Sequence, residues 1–397
     1  MSADQFVLSL KQLADCAVNF ADGISSGLSR DNEEIKALIT YVGTQQPKTD
    51  GEILVVDLGG TRCRAVMVRA CSGHLTLMGD PIVDDLPVVR GAPLPKATFL
   101  STQVALAART TKGHAACPLG YCFSYPATSR SDGDATLIRW TKEVFVPDTE
   151  GYPVGEPLRE ALQAHNISCS SVTVINDTVA ALLAGLTDGY TDEILGLIVG
   201  TGTNLAIRIP PEDIPKFPSE LSWADLVPVN LESGNFTPRC LNDMDNTLND
   251  ASDDPKHQRF EKAVSGAYLG RLLAAASPQS DFDPEDGSQG VVALAQSNRE
   301  GAQIARTILV RSASLVAASL AGAIYRSGTA QRRVRVVAEG GLYWGAPGYA
   351  DNVSKILAQL LQTLELSKVV CEVIQVPNAN LLGTALAAAN GEINFES

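Results

Sequence analysis

Residues 51–68 read GEILVVDLGGTRCRAVMV, and this stretch decides the fold. Ile53-Leu54-Val55-Val56 is a continuous apolar run with the length and β-branched character of a buried strand. Asp57-Leu58-Gly59-Gly60-Thr61 interrupts it with the residues of a turn, and Ala65-Val66-Met67-Val68 resumes as a second strand. Two apolar strands around a Gly-Gly turn predict a hairpin whose turn lies at the end of a sheet. The pattern returns at 194–209. Ile194 to Val199 is apolar, Gly200-Thr201-Gly202-Thr203-Asn204 is a turn, and Leu205 to Ile209 is the return strand. Two copies of one strand–turn–strand module predict two similarly built lobes facing each other.

Outward from these modules, apolar runs and helical periodicity alternate. Further strands are expected at 119–124, 172–175, 333–338 and 369–375. Helices are expected at 97–110, 178–186, 258–275, 291–297, 300–325, 352–364 and 382–389. Residues 1–47 carry helical spacing, with Ile35, Leu38 and Ile39 continuing it after a break. Residues 80–96 read as a polar, Pro-containing connection, and 238–258 as an acidic surface loop. Strands alternating with helices predict an α/β protein with largely parallel pairing, whose ligands sit at the carboxyl ends of the strands.

Composition narrows the function. The 397 residues suit two domains, and 45% hydrophobic with 19% charged residues suits a globular chain. A net charge of −14 disfavours nucleic acid as a partner, since that needs a basic face. No membrane span is expected. The apolar stretch 308–325 is interrupted by Arg311 and several serines and reads as a buried helix. The first twenty residues contain Asp and Lys within their apolar pattern and do not read as a signal peptide. Eight scattered cysteines form no CxxC pair, which suits reduced core thiols and a cytoplasmic location.

Each turn has two readings. Asp57-Leu58-Gly59-Gly60-Thr61 is either an ordinary hairpin turn or a phosphate cradle. In the second case the glycines admit the phosphate, Thr61 donates a hydroxyl, Asp57 serves Mg²⁺, and Arg62 and Arg64 reach phosphate oxygens. Gly200-Thr201-Gly202-Thr203 lacks the last glycine of a dinucleotide fingerprint, and the chain contains no Gly-Lys dipeptide for a P-loop. Glu339-Gly340-Gly341, after a third buried strand, is a plain turn or a surface for a flat ring. Asn176-Asp177-Thr178 joins a strand to a helix, so Asp177 is either an N-cap or a base accepting a hydroxyl proton.

Six segments in order, LVVDLGGTRCRAVMV, FSYPATSRSDGDATLIRWTKEV, VINDTVAALLAG, LGLIVGTGTNLAI, VNLESGNF and RFEKAVSGAYLGRLL, resemble the hexokinase family of eukaryotic-type hexokinases and glucokinases. VVAEGGLYW is the main match beyond residue 275. The resemblance implies the two-lobed actin-like ATPase (ribonuclease H-like) fold with a cleft between lobes. A small lobe would comprise 48–178 plus 383–397, and a large lobe 1–47 plus 179–382. It implies an ATP-dependent kinase for the 6-hydroxyl of a hexose, glucose first, with Mg²⁺ and ATP as cofactors and Asp177 as the base. Ser124, Thr141, Lys142, Asn176, Asn204, Glu232 and Glu261 would hold the sugar. Gly60, Thr61, Arg62, Arg64, Thr201 and Gly202 would face the phosphates, Gly340 and Gly341 the adenosine, and Asp57 the metal. A ring of Asn, Asp, Glu, Thr and Lys also makes chemical sense, because sugar hydroxyls both donate and accept. The chain departs from the family at Arg62, where an Asn is usual, and at Ser233, where Trp is frequent. Its segment NANLLGTALAA matches the nucleotide end poorly. A kinase for another sugar, such as an N-acetylhexosamine, and a non-catalytic hexose sensor are the competing expectations.

Overall fold

The computed structural model describes residues 3–390 except 48–49, 61, 90, 113, 142–143, 191, 220, 222, 224, 253, 280–281 and 329–331. The chain divides into two compact units. The first comprises Met1–Ala37, Leu197–Leu205 and Leu231–Ile374; the second comprises Leu38–Gly196, Ala206–Asn230 and Gln375–Ser397.

The second unit is built on the predicted hairpin. Strands Gly51–Leu58 and Arg62–Cys71 pair antiparallel with Asp57 opposite Arg64. Cys117–Phe123 and Cys169–Ile175 then extend the sheet in parallel. His74–Leu77 and Ile82–Asp85 both pair with Arg62–Cys71 on its other side. Successive side chains of a strand leave opposite faces. Leu54, Val56 and Leu58 accordingly join a core with Phe99, Leu106, Leu158 and Leu162 from helices Lys96–Thr110 and Gly155–Ala164. Ile53 and Val55 join the opposite core with Leu381, Ala385 and Ala388 of helix Ala379–Ala389. Both faces are covered, which is why residues 53–56 are apolar without alternation. Helix Ala379–Ala389 also lies against helix Asp177–Ala184. At their contact a Cβ on Gly383 would fall 1.8 Å from the Ala180 carbonyl oxygen, so only glycine permits the approach. Leu38–Ile39 and residues 206–209 both pair antiparallel with Val227–Asn230.

In the first unit, helix Leu10–Ser29 opens with a capping box between Ser9 and Gln12 and packs along helix Ala302–Arg326. The latter is long and apolar enough to cross a membrane, yet most of it is buried inside the protein. Helix Tyr349–Thr363 packs on it too. Strands Arg333–Glu339 and Val370–Ile374 pair in parallel. Phe20, Phe236 and Phe260 gather into one aromatic cluster.

Four local expectations are corrected. Leu38 and Ile39 do not continue a helix; they pair with Asn230 and Val229 as a strand, a partner nearly two hundred residues away. The supposed acidic loop at 238–258 contains helix Asp243–Asp250, capped by Asn242, with Asp245 buried against Arg311. The acidic residue was tertiary, not solvated. The single helix expected at 258–275 is two, Arg259–Val264 and Gly266–Ala276, separated at Ser265 in extended conformation. The connection at 80–96 includes strand Ile82–Asp85, short enough to escape notice in a Pro-rich context.

Candidate active site

The predicted site residues fall into two sets. Asp57, Gly60, Arg62, Arg64, Ser124, Thr141, Asn176 and Asp177 belong to the second unit. Thr201, Gly202, Asn204, Glu232, Glu261, Gly340 and Gly341 belong to the first. Thr61 and Lys142 lie outside the described residues.

In the second unit the parallel strands bring three residues into one row across the sheet: Asp57, Cys122 and Ile175. Asp57 is only 4% exposed. Its Oδ2 accepts from Arg64 Nε at 2.9 Å and from a terminal nitrogen of the same guanidinium. Its Oδ1 is buried with no hydrogen-bond partner. A buried carboxylate oxygen without a partner is costly unless something else satisfies it. A hard divalent cation or its bound water does so, and Mg²⁺ characteristically takes one or two carboxylates alongside phosphate oxygens. The donor set therefore fits Mg²⁺ delivered with a nucleotide. Among the described residues no cluster of three or more metal-binding side chains exists, so no all-protein cage is formed. Burial pushes the Cys122 thiol well up, and the charges of Asp57 and Asp177 act in the same direction.

Asn176 caps the helix that begins at Asp177, its Oδ1 accepting from Thr178 N at 2.9 Å. The capping role that a lone Asp177 could have filled is thus taken by Asn176. Asp177 stands at the first helical position, where the helix dipole favours a carboxylate, and its Oδ1 accepts from Thr178 Oγ1 at 3.3 Å. Ser124 is buried at the end of its strand, its N–H donating to Leu58 O at 3.1 Å. The next residue, Tyr125, sends its hydroxyl to the Gly59 and Gly60 carbonyls, at 3.1 and 2.9 Å. Tyr125 is held between Phe123 and Trp140, with ring centroids 5.1 and 4.7 Å away. Thr141 follows Trp140, and its carbonyl accepts from Val144 N. Arg62 is three-quarters exposed and forms a 3.4 Å ion pair with the equally exposed Asp85. Such surface pairs contribute about 0–1 kcal/mol.

In the first unit the second turn is closed by Gly200 N donating to Gly202 O at 2.9 Å. Its carbonyls are gripped by the start of helix Gly266–Ala276: Gly266 N donates to Gly200 O and Ala267 N to Thr201 O. Glu261 Oε2 accepts from Thr203 N at 3.0 Å, and a Cβ on Gly202 would lie 2.6 Å from that same oxygen. Asn204 Oδ1 accepts from Leu205 N and Ser233 N, at 2.8 and 3.1 Å. These two bonds orient the amide, with its NH₂ on the other side. Glu232 adopts left-handed backbone geometry, φ 50° and ψ 45°, which is uncommon for a non-glycine residue. A Cβ on Gly234 would lie 3.2 Å from Glu261 Cβ. Thus Gly202, Asn204, Glu232–Gly234 and Glu261 converge. Gly340, at φ 118°, has its missing Cβ only 2.2 Å from Val199 O, which holds the third Gly-rich segment against the second turn. Gly341 opens the short helix Gly341–Gly345.

Sequence reasoning passed over Tyr125, which stood in the quoted FSYP segment, and Cys122, the residue just before that segment. The signal available was that a tyrosine in an apolar strand end needs a partner for its hydroxyl.

Known proteins are similar to this chain over nearly its whole length. Two models described as Hexokinase match, one over residues 2–187 and the other over 194–277 and 296–390. Hexokinase-7 of Oryza sativa subsp. japonica is 27% identical, with 98% of each chain covered. Hexokinase-1 of Saccharomyces cerevisiae is 31% identical over 68% of this chain and 58% of its own length. A hexokinase from Schistosoma mansoni solved with glucose superposes with a TM-score of 0.80 at 22% identity, covering 98% of this chain and 97% of that one. The fold is that of this actin-like ATPase group.

Proposed function

The chain belongs to the hexokinase family, and from that premise we propose that it moves the γ-phosphoryl group of ATP to the 6-hydroxyl of a hexose, with Asp177 as general base. It is a hexose kinase enzyme. The observation that carries the finer reading is the position of Asp177. Asn176 supplies the side-chain cap, so the Asp177 carboxylate is not needed for that role, and it stands two residues beyond Ile175, which shares a row with Asp57.

Each unit carries polar residues suited to sugar hydroxyls: Asn176 and Ser124 in the second, and Asn204, Glu232 and Glu261 in the first. Asp177 accepts the proton of the attacking hydroxyl as the O–P bond forms, and ADP leaves. A base in hydrogen-bond reach typically accelerates such a step by about 10²- to 10⁴-fold. Mg²⁺, when bound, would supply charge neutralisation for the phosphates, and Asp57 would hold it or its water, a reading supported by its unpartnered Oδ1. The turns at 59–60 and 200–202 are assigned to the phosphates through their backbone, and Gly341, where an added Cβ would meet nothing within 4 Å, together with its neighbour Gly340, to the adenosine.

A panel of sugars with Mg-ATP and coupled detection of ADP tests this. Glucose and related hexoses are expected to turn over. Preference for an N-acetylhexosamine would move the assignment to another sugar kinase. Calorimetric glucose binding without ADP release would make the chain a sensor and end the catalytic reading.

A further inference from the structure

The phosphate turn after strand Gly51–Leu58 is tethered from below. We propose that Tyr125 is a positioning residue for nucleotide: its hydroxyl orients the Gly59-Gly60 backbone so that the turn presents the Gly60 N–H to phosphate. The inference rests on the kinase reading above, and deepens it.

Tyr125 is 1% exposed, yet its hydroxyl reaches two main-chain oxygens, Gly59 O at 3.1 Å and Gly60 O at 2.9 Å. One hydroxyl proton is shared between them. A trans peptide is planar, with its C=O and N–H pointing in opposite directions. Holding the Gly59 carbonyl toward Tyr125 therefore turns the Gly60 N–H to the far side of the turn. The remaining polar group of Gly59 is also spent, since Gly59 N donates to Arg62 O at 2.9 Å. Glycines have no side chain to hold their own φ and ψ, so a Gly-Gly turn is free to rotate its peptides unless something outside it restrains them. Tyr125 is that restraint. Its ring is in turn immobilised by Phe123 and Trp140. Ser124, assigned to the sugar, immediately precedes it, so one strand end serves hexose through one residue and nucleotide through the next.

The experiment is Tyr125→Phe, which deletes only the hydroxyl and keeps the packed ring. Binding of a non-hydrolysable ATP analogue with Mg²⁺ and binding of glucose are measured separately by calorimetry, and KM for each substrate in the coupled assay. Loss of one hydrogen bond to a positioned backbone is expected to weaken nucleotide binding about 3- to 10-fold. The KM for ATP should rise in step, with glucose affinity within 2-fold of wild type. Tyr125→Leu, which also removes the ring, should weaken both ligands. Unchanged nucleotide affinity in Tyr125→Phe overturns the proposal, as does an equal loss for glucose, which would indicate a general disturbance of the strand end. If wild type binds nucleotide but phosphorylates no sugar, the kinase reading falls while the calorimetric comparison still decides the role of Tyr125. If wild type binds no nucleotide, both fall.

Discussion

Three residues separate chemistry from architecture. Asp177→Ala removes the assigned base without touching the Asn176 cap, so kcat should drop about 10²- to 10⁴-fold while glucose affinity by calorimetry stays within a few-fold. Near-wild-type turnover would strip Asp177 of its role. Gly202→Ala and Gly340→Ala both introduce a methyl group against the second turn, with different consequences. At Gly202 the obstacle is the tip of the Glu261 side chain, 2.6 Å away, which yields by swinging off Thr203 N. The expected result is a raised KM for hexose with little change in melting temperature. At Gly340 the obstacle is the Val199 backbone oxygen at 2.2 Å, and φ is +118°. Nothing there yields cheaply, so Gly340→Ala should lower stability by several kcal/mol, read by urea unfolding. A Gly340→Ala variant as stable as wild type would show that the third glycine segment does not press on the turn.

Among the elements, helix Asp243–Asp250 shows how a polar stretch acquires structure from a distant partner. Asp245 accepts from Asn242 N at 2.7 Å within the capping box and pairs with Arg311 through two hydrogen bonds at 3.0 and 2.6 Å. Both side chains are at least 96% buried, since their exposures are 1% and 4%. Removing one partner strands a buried charge, so Asp245→Ala should cost about 3–5 kcal/mol of stability. A double replacement of Asp245 and Arg311 by leucine should recover part of that loss, and a double variant no better than the single would place the cost in the cap instead. The acidity of 238–258 was visible in the sequence, but Arg311, sixty-six positions on, was not a foreseeable partner. The strand at Leu38–Ile39 was missed for the same reason: two residues cannot show a period, and its partner Asn230 is remote. Hairpin 51–71, by contrast, was legible because apolar runs and Gly-Gly both act over a few residues.

For the whole molecule, two tests report on the folded state as one ligand-linked system. Hexose at about 100 times its dissociation constant should raise the unfolding free energy by about 2.7 kcal/mol, seen as an upward thermal shift, with sugars that are not ligands giving none. A thiol reagent should modify exposed Cys71 in the native protein and leave Cys63 and Cys122 unmodified until unfolding, because both are fully buried and burial pushes their thiols up, away from the reactive thiolate. Rapid labelling of Cys122 in the native state would contradict its place in the row between Asp57 and Ile175. Short-range pattern was enough for the two strand–turn–strand modules, the Asn-Asp pair at a strand-to-helix junction and the family, because apolar runs, glycine turns and ordered motifs are written in neighbouring residues. The tertiary structure alone decided that Asn176 and not Asp177 is the cap, that Asp57 keeps one oxygen unpartnered, and that Tyr125 reaches back sixty-five residues to Gly60. Those outcomes depend on which side chains a sheet sets side by side, and hydrogen bonds made across strands leave no local signature in the chain.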